Sequence, residues 1–399
     1  MRFWPLVRHP RYAIPASLPF AQEALRRQVE DVLLVKEEEV RGLVLRWGGH
    51  LVAAPARALP IVEQRFRPYG FTPFLKREKD VTWIEAVPLA NVVARSRPGL
   101  AIGLFLLTVL STLVAGGLWS NSLPFVTFDP LKDPMQLLRG APFALTLLGI
   151  LGTHEFGHYF TARSYGASVS LPYFIPAPPP LPFGTLGAVI VMRSPARDRN
   201  SLFDIAAAGP LAGLAVALPA CLLGFAWSSV VPAPAGGYVA FGDSLFTWGI
   251  AYLRFGHIPP GYMLFTHPMA DAAWAGFLVT ALNLFPVGQL DGGRIAYALF
   301  GRRHRTIGKA TVAGLLLFGA AAFFWGLRTP GGDVVSALAS SLNWFVWAGL
   351  ISLLVGFHHS PPLDDLSPIS PGRRVVGIAC LVLMVLLIPP PLNPLVAIH

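Results

Sequence analysis

Residues 152–159 of the 399-residue chain read Gly-Thr-His-Glu-Phe-Gly-His-Tyr and lie within an otherwise uncharged apolar stretch. In a helix, His154 and His158 are one turn apart on one face, so both imidazoles can bind one metal ion with Glu155 beside them. Zinc suits neutral imidazole and carboxylate ligands, and a water in its open position becomes acidic enough for Glu155 to take its proton. The stretch therefore predicts a zinc site inside a membrane-spanning helix.

The alternative for these residues is coincidence, because a short His-Glu-x-x-His pattern also occurs without binding a metal. Here, however, three ionisable groups lie in one predicted span. Each costs about 2.5–3.5 kcal/mol to insert at the centre of a membrane helix, so groups without a function are rare there. This insertion cost favours a metal site over a coincidental pattern.

A catalytic zinc needs a third protein ligand, and residues 283–294, Asn-Leu-Phe-Pro-Val-Gly-Gln-Leu-Asp-Gly-Gly-Arg, supply one. Pro286 and the three glycines predict a broken helix, which at membrane depth must be buried in protein or line a wet cavity. Asp291 is then the candidate third ligand, although an aspartate in an ordinary C-terminal turn fits the same pattern. Asn283 can stabilise an oxyanion or, alternatively, form a helix–helix hydrogen bond.

The composition supports a membrane protein. Hydrophobic residues make up 54% of the chain and charged residues 13%, the mean hydropathy is +0.56 and the net charge is +10. Disordered chains are polar, so this composition excludes disorder, and two cysteines 159 residues apart in apolar stretches exclude a disulfide scaffold. The basic excess leaves nucleic acid or a membrane as the partner.

The chain divides into two parts. Residues 1–97 are rich in charge and predict a small soluble α+β domain, with a strand at 40–52 that turns at Gly48-Gly49, a helix at 55–66 and a hairpin at 71–87. Residues 98–399 predict a membrane-embedded domain with its catalytic core at about 141–300. Seven apolar stretches of it read as spans, at 98–120, 141–162, 205–231, 272–286, 310–327, 335–357 and 375–388.

The basic residues test this division. The N-terminal block and the second, fourth and sixth loops contain 16, 4, 5 and 2 Lys or Arg residues, whereas the other loops and the tail contain 2, 1, 1 and none. Basic loops face the cytoplasm, so the N-terminus and these loops are predicted to be cytoplasmic. The two metal-binding loci then lie at the same depth, and the excess charge has a topological reason that does not require nucleic acid.

Two segments outside the seven stretches are predicted to dip into the bilayer or to lie at its surface. Residues 232–271 are broken by charges and prolines and fit an interfacial or re-entrant segment. Residues 171–193 contain six prolines followed by a β-type run. This second segment predicts either a strand that pairs with an unwound substrate or a rigid interfacial loop without a substrate role.

Together, the motif around His154, Asn283 with Pro286, and the Leu-Asp-Gly-Gly of residues 290–293 resemble the site-2 protease family of intramembrane zinc metallopeptidases. The resemblance extends through residues 171–195 and 204–213. It is closest to a bacterial and plastid subgroup that includes the plant ethylene-dependent gravitropism-deficient and yellow-green proteins.

The resemblance implies cleavage of transmembrane segments of other proteins. It implies one zinc ion on His154, His158 and Asp291, with Glu155 as the general acid and base and Asn283 as a stabilising residue. The fold that we expect is mainly α, a polytopic membrane protein with about seven transmembrane helices, a re-entrant β and proline-rich loop and a small soluble domain.

The predicted function is therefore an intramembrane zinc metalloendopeptidase. A membrane transporter and a catalytically silent scaffold are the alternatives, since both can bury the same His/Asp cluster. We expect membrane-protein substrates, the bilayer and a cytoplasmic partner of the N-terminal domain as partners, and no nucleic acid. The chain shows no secretory signal and no Ser-rich transit segment, which favours the inner membrane of a bacterial cell.

Overall fold

The computed structural model describes residues 18–88, 97–120, 128–178, 181–233, 242–329 and 332–388. Within these ranges the protein is mostly helical, with one four-stranded sheet and two two-stranded sheets. The α-helices are α1 (Leu18–Arg27), α2 (Pro55–Phe66), α3 (Pro98–Ser120), α4 (Ala141–Ser164), α5 (Arg199–Ala226), α6 (Leu245–Phe255), α7 (Pro268–Asn283), α8 (Asp291–Phe300), α9 (His304–Arg328), α10 (Val334–Leu350) and α11 (Pro371–Leu387). The strands are β1 (Leu33–Arg41), β2 (Val44–Leu51), β3 (Thr72–Glu78), β4 (Val81–Val87), β5 (Tyr173–Pro176), β6 (Thr185–Val189), β7 (Ser229–Pro232) and β8 (Tyr262–Phe265).

Residues 18–88 form an α+β unit around an antiparallel sheet of order β1-β2-β4-β3. The predicted helix at 55–66 and the predicted hairpin of β3 and β4 are confirmed. Helix α2 buries Ala58, Leu59, Val62 and Phe66, whose spacing of one, three and four residues marks one helical face. This face packs in the same core as Trp47 of β2, so the hydrophobic effect joins helix and sheet.

The predicted turn at Gly48-Gly49 is wrong. Strand β2 runs straight through both glycines, and the chain turns instead at Gly42, whose φ is +62°. A Cβ on Gly49 would lie 1.9 Å from the carbonyl oxygen of Leu34 on β1. These glycines therefore permit close packing of the sheet and do not reverse the chain.

The side chain of Arg46 in β2 is 1% exposed and forms ion pairs with Glu39, Glu78 and Glu85, at N–O distances of 2.7, 2.8 and 3.0 Å. Its guanidinium also lies over the ring of Trp83, 4.4 Å from the centroid. Burial disfavours the cation, but the close ion pair with Glu78 and the charges of all three carboxylates raise the pKa of Arg46 overall. The same ion pair lowers the pKa of Glu78.

Replacing Arg46 with methionine should destabilise the N-terminal unit by about 1–3 kcal/mol, because it removes the buried cation that Glu39, Glu78 and Glu85 share and leaves each carboxylate with a single other cation. Hydrogen exchange of residues 18–88 in the full-length protein would measure the loss. The control is Arg41→Met, since the Arg41 side chain is 59% exposed and pairs only with Glu39 at the surface. Equal protection in the two variants would contradict the role of Arg46.

The same cluster gives the unit a dependence on pH. The pKa of Glu78 lies below its ordinary value of 4.5 in the folded protein, so its stabilising contribution is complete above pH 4.5. As the pH falls through the lower, folded value, this contribution is lost. We expect exchange protection in the wild type to fall over that range, and Arg46→Met to show a weaker fall.

Five helical stretches of the described residues are long and apolar enough to cross a membrane, which confirms the prediction of several apolar spans. They are Pro98–Leu118, Pro134–Ser164, Arg199–Ala226, Asp291–Arg328 and Val334–Leu353. The predicted fourth and seventh spans correspond to α7 and α11, which have 16 and 17 residues. Both are shorter than the roughly 20 residues that a straight crossing requires.

The third predicted span begins earlier than the hydropathy indicates. Asp198 caps α5, accepting a hydrogen bond from the backbone N–H of Ser201, and the Ser201 hydroxyl bonds back to the backbone of Asp198. This capping box satisfies free N–H groups at the helix start, so α5 begins at Arg199, six residues before the predicted boundary.

Helices α4 and α5 pack closely because small residues face each other. A Cβ on Gly157 of α4 would lie 2.6 Å from the carbonyl oxygen of Ala208 on α5. On the other side, Ile150 of α4 fills the space next to Gly276 of α7. Such close backbone approach is the usual way in which helices associate in a membrane.

The β character predicted for residues 171–193 is confirmed by the antiparallel hairpin of β5 and β6. The hairpin is fixed against α3, where the hydroxyl of Ser111 donates a hydrogen bond of 2.6 Å to the carbonyl oxygen of Gly184. Gly184 has a φ of +69°, and a Cβ there would lie 2.3 Å from the backbone of Ser111. Glycine is therefore required at this contact.

Residues 361–369, here called the strap, join the N-terminal unit to the helices. The backbone of Leu75 at the edge of β3 bonds to Leu363 and Asp365, with N–O distances of 2.7 and 3.0 Å. The N–H of Leu363 donates to the carbonyl of Ala196, just before α5, and the Leu363 side chain lies in the core of the N-terminal unit. The strap thus extends the sheet and ties it to the helical part.

Candidate metal centre

The two predicted histidines of α4 face each other inside the protein. His154 and His158 are 3% and 4% exposed, and their Nε2 atoms lie 3.1 Å apart. Asp291, the first residue of α8, brings its Oδ2 to 3.1 Å from Nε2 of His158 and 3.4 Å from Nε2 of His154. Three ligand atoms distant in sequence therefore meet at one buried point.

Their spacing suits a tetrahedral metal ion. Ligand atoms about 2.0–2.1 Å from a tetrahedral zinc lie about 3.3 Å from one another, close to the three distances observed. Nδ1 of His158 lies 2.6 Å from the carbonyl oxygen of Ile205, to which it can only donate. In the neutral ring, Nε2 then presents a lone pair towards a carboxylate, an arrangement that a cation between them stabilises. Within the described ranges, no other group of three or more His, Cys, Asp or Glu side chains converges in this way.

The predicted helix break delivers Asp291 to this point. Helix α7 ends at Asn283 and α8 begins at Asp291, so the intervening backbone is not helical. The turn is tight: Gly288 has a φ of +50°, and a Cβ on Gly292 would lie 1.8 Å from the carbonyl oxygen of Leu284. A side chain at either glycine would open the turn and move the carboxylate.

Glu155 lies beside the three ligand atoms without joining them. It is 7% exposed, and its carboxylate lies near the backbone of Ile190, which directly follows β6. A buried carboxylate next to a metal site, but outside the ligand set, is available to accept and release a proton. The hairpin and the metal site therefore adjoin at Glu155.

Asn283 also lies at the site. Asn283 is the last residue of α7, and its side-chain nitrogen lies 3.4 Å from Nε2 of His154 on α4. The structure thus brings together all five residues singled out in the sequence. The contact is at the outer limit of a hydrogen bond, so Asn283 borders the ligand set.

Helix α5 supports the histidines through two glycines spaced four residues apart. A Cβ on Gly209 would lie 2.1 Å from Nε2 of His158, and one on Gly213 would lie 3.3 Å from Cβ of His154. The two glycines therefore allow the side chains of both metal-binding histidines to pack against α5. No local sequence signal distinguishes this use of a Gly-x-x-x-Gly spacing from ordinary helix association.

A sequence profile described as "Peptidase family M50" matches residues 142–327, a region that contains both histidines and Asp291. The chain carries a domain of peptidase family M50. This agrees with the resemblance to site-2 proteases found in the motifs.

Curated relatives extend the similarity beyond the M50 domain. "Probable zinc metalloprotease EGY2, chloroplastic" of Arabidopsis thaliana is 32% identical over 296 residues, covering 72% of this chain and 48% of the relative. "Probable zinc metalloprotease EGY1, chloroplastic" of the same plant is 30% identical over 311 residues, covering 73% and 53%. The EGY2 protein of Oryza sativa subsp. indica is 34% identical over 241 residues, covering 56% and 43%. The chain spans about half the length of these relatives, and no solved structure matches it.

Proposed function

We propose that this M50 protein is an intramembrane zinc metalloendopeptidase that hydrolyses peptide bonds within or next to transmembrane segments of membrane proteins. The observation that carries the proposal is the convergence of His154, His158 and Asp291 on one buried point, with Glu155 beside it as a carboxylate outside the ligand set. Three protein ligands leave one position of a tetrahedral zinc open, as catalytic zinc sites require.

In this proposal, His154, His158 and Asp291 would hold one zinc ion per chain, whose Lewis acidity would polarise a carbonyl and lower the pKa of water. Glu155 accepts the proton of the attacking water and passes it to the leaving nitrogen. Asn283 orients the scissile carbonyl through its amide. Nδ1 of His158, bonded to Ile205, keeps that ring in the orientation that binding needs.

We propose that the hairpin of β5 and β6 pairs with the substrate. A peptide bond inside a helix is shielded by its own turn, so the substrate must unwind before water reaches it. The hairpin has two strands only, its residue Leu186 is 66% exposed, and the backbone of the residue after β6 lies near Glu155. An added substrate strand would therefore lie next to the general base. The alternative is a rigid interfacial loop that holds Glu155 and never contacts substrate.

The topology that we propose has seven spans, with α7 and α11 as the fourth and seventh, and with residues 171–193 and 232–271 as re-entrant or interfacial segments. Helix α6, with 11 residues, and the pair of β7 and β8 suit such a segment. The distribution of basic residues supports a cytoplasmic N-terminus and a cytoplasmic active-site side. We propose a bacterial inner membrane, whereas the relatives named above are chloroplastic.

The partners in this proposal are transmembrane protein substrates and the lipid bilayer, with a cytoplasmic protein bound by the domain of residues 1–97. Nucleic acid is not among them. The apolar composition and the five long apolar helices support the bilayer as the solvent of residues 98–399, with the catalytic core at about 141–300.

A transporter and an inactive scaffold are the competing functions, and Glu155 separates them from a peptidase. A carrier needs ligands for its cargo but gains little from a buried carboxylate outside the ligand set, whereas hydrolysis requires one. An inactive scaffold has no need to keep this carboxylate next to intact ligands.

The variant Glu155→Gln tests the function. We expect purified wild type and variant each to bind one zinc ion, and only the wild type to cleave a helical membrane substrate that contains a helix-breaking residue. The expected loss of kcat is about 100-fold or more, the range for removal of a general base. Glu63→Gln, at an exposed position of α2, is the matched control and should cleave normally. Full cleavage by Glu155→Gln would refute the proposed mechanism.

A further inference from the structure

Arg294 has a charge for which the described structure contains no direct partner. It lies on α8 three residues after Asp291, so the two side chains share one side of the helix. Its Nε is shielded from solvent without a hydrogen-bond partner, and it takes part in none of the ion pairs found among the described residues. Arg294 as a whole is half-buried, and a guanidinium that is partly shielded from water is stabilised by a nearby anion.

Two groups lie within electrostatic reach of this guanidinium. One is the carboxylate of Glu155 in the metal centre, and the other is the ring of His359. Burial, followed by the charges of Arg294 and His304, lowers the pKa of His359 to about 3, so its ring is neutral at physiological pH. A neutral ring does not compensate a cation, and the carboxylate of Glu155 is not in ion-pair contact with it.

The position of Arg294 is fixed by the packing of α8. Gly293 allows close contact, since a Cβ there would lie 2.5 Å from the carbonyl oxygens of Val287 and Gly288. One turn beyond Arg294, the hydroxyl of Tyr297 donates a 3.0 Å hydrogen bond to Asp365 of the strap. The cation is therefore held on a rigid helix next to the metal centre, as a preorganised group must be.

We propose that Arg294 is a catalytic residue that binds the oxygen of the scissile carbonyl as it becomes negative, and then the carboxylate of the product. This inference rests on the proposed peptidase function. In the reaction, the water oxygen forms a bond to the carbonyl carbon and the carbon–nitrogen bond breaks. The protons released from water and from the new carboxyl go to the leaving amine, which departs as ammonium. The new anion arises beside Glu155, on the side where Arg294 has no other partner.

The test compares Arg294→Ala and Arg294→Lys with the wild type, using zinc content and steady-state cleavage of the same helical substrate. We expect full zinc binding in both variants, and a kcat at least about 100-fold lower in Arg294→Ala, the effect of removing one preorganised donor at an oxyanion. The lysine variant should recover only part of kcat, because it lacks the planar fork. Arg305→Ala is the control, since Arg305 is exposed on the neighbouring helix.

Rescue distinguishes contact with the reacting group from a structural role. Guanidinium ion added at millimolar concentration should raise the kcat of Arg294→Ala several-fold and leave Arg305→Ala unchanged. Where Arg294→Ala does not fold, the lysine variant provides the measurement of kcat. A kcat within twofold of wild type in Arg294→Lys and Arg294→Ala, or no rescue of a folded Arg294→Ala, would overturn the inference. The proposed function itself would still stand if Glu155→Gln were inactive, so the two failures are distinguishable.

Discussion

The variant Asp291→Ala is expected to lose its zinc and, with it, all measurable cleavage. Asp291 supplies the only carboxylate of the three ligand atoms and completes the triangle with His154 and His158. Changes in residues that merely support ligands lower metal affinity by 10–100-fold, so loss of a ligand should lower it by more than about 100-fold. Metal content after dialysis, together with titration of the apoprotein with zinc, would measure the effect.

A second variant and a control keep this result interpretable. Asp291→Asn has nearly the volume of aspartate without its charge, so it should fold, shown by unchanged thermal unfolding of the apoprotein, and still bind zinc weakly. Asp333→Ser replaces the capping aspartate of α10 with another capping residue and should bind zinc as the wild type does. Undiminished zinc in folded Asp291→Ala would remove Asp291 from the ligand set.

Substitution of Gly209, which binds nothing itself, should be almost as damaging. A Cβ at this position would lie 2.1 Å from Nε2 of His158, a distance at which the ring must move. Because zinc binding needs the ring within a few tenths of an ångström of its position, we expect Gly209→Ala to lower zinc affinity by up to about 100-fold, the upper end of the range for residues that support a ligand. Zinc content and cleavage would be measured as for Asp291.

Two further glycine variants should give smaller losses of zinc affinity than Gly209→Ala. Gly213→Ala approaches Cβ of His154 at 3.3 Å, so a small shift suffices and an intermediate loss is expected. Gly149→Ala on α4 meets only Val216 at 4.0 Å and should retain zinc, with a helix slightly stabilised by the better propensity of alanine. Equal zinc affinity in all three variants would show that α5 does not position His158.

The metal centre was predictable because each of its residues stands out from its local sequence. His154, Glu155 and His158 interrupt an apolar span at helical spacing, and Asp291 follows a proline and glycine break. Their proximity could be expected from the predicted topology, which places both loci at the same depth. This prediction of equal depth required only the count of Lys and Arg residues in each loop.

Other features depend on contacts that no local pattern encodes. Gly48-Gly49 has the composition of a turn, yet the approach of Leu34 makes it the interior of a strand. Gly209 lies in a Gly-x-x-x-Gly spacing that usually indicates helix packing, and Arg294 directly follows the Asp-Gly-Gly of the third-ligand stretch. Their relation to His158 and Glu155 arises from residues 51 and 139 positions apart in the chain, which only the folded structure brings together.

The strap also imposes an order of assembly on biosynthesis. The N-terminal unit emerges first from the ribosome, but the edge of β3 and part of its core wait for Leu363, 288 residues after Leu75. Until almost every membrane segment has been made and inserted, this unit has an unfilled core position and an open sheet edge. A chain truncated before the strap would therefore leave the edge of β3 unpaired and the core position of Leu363 empty.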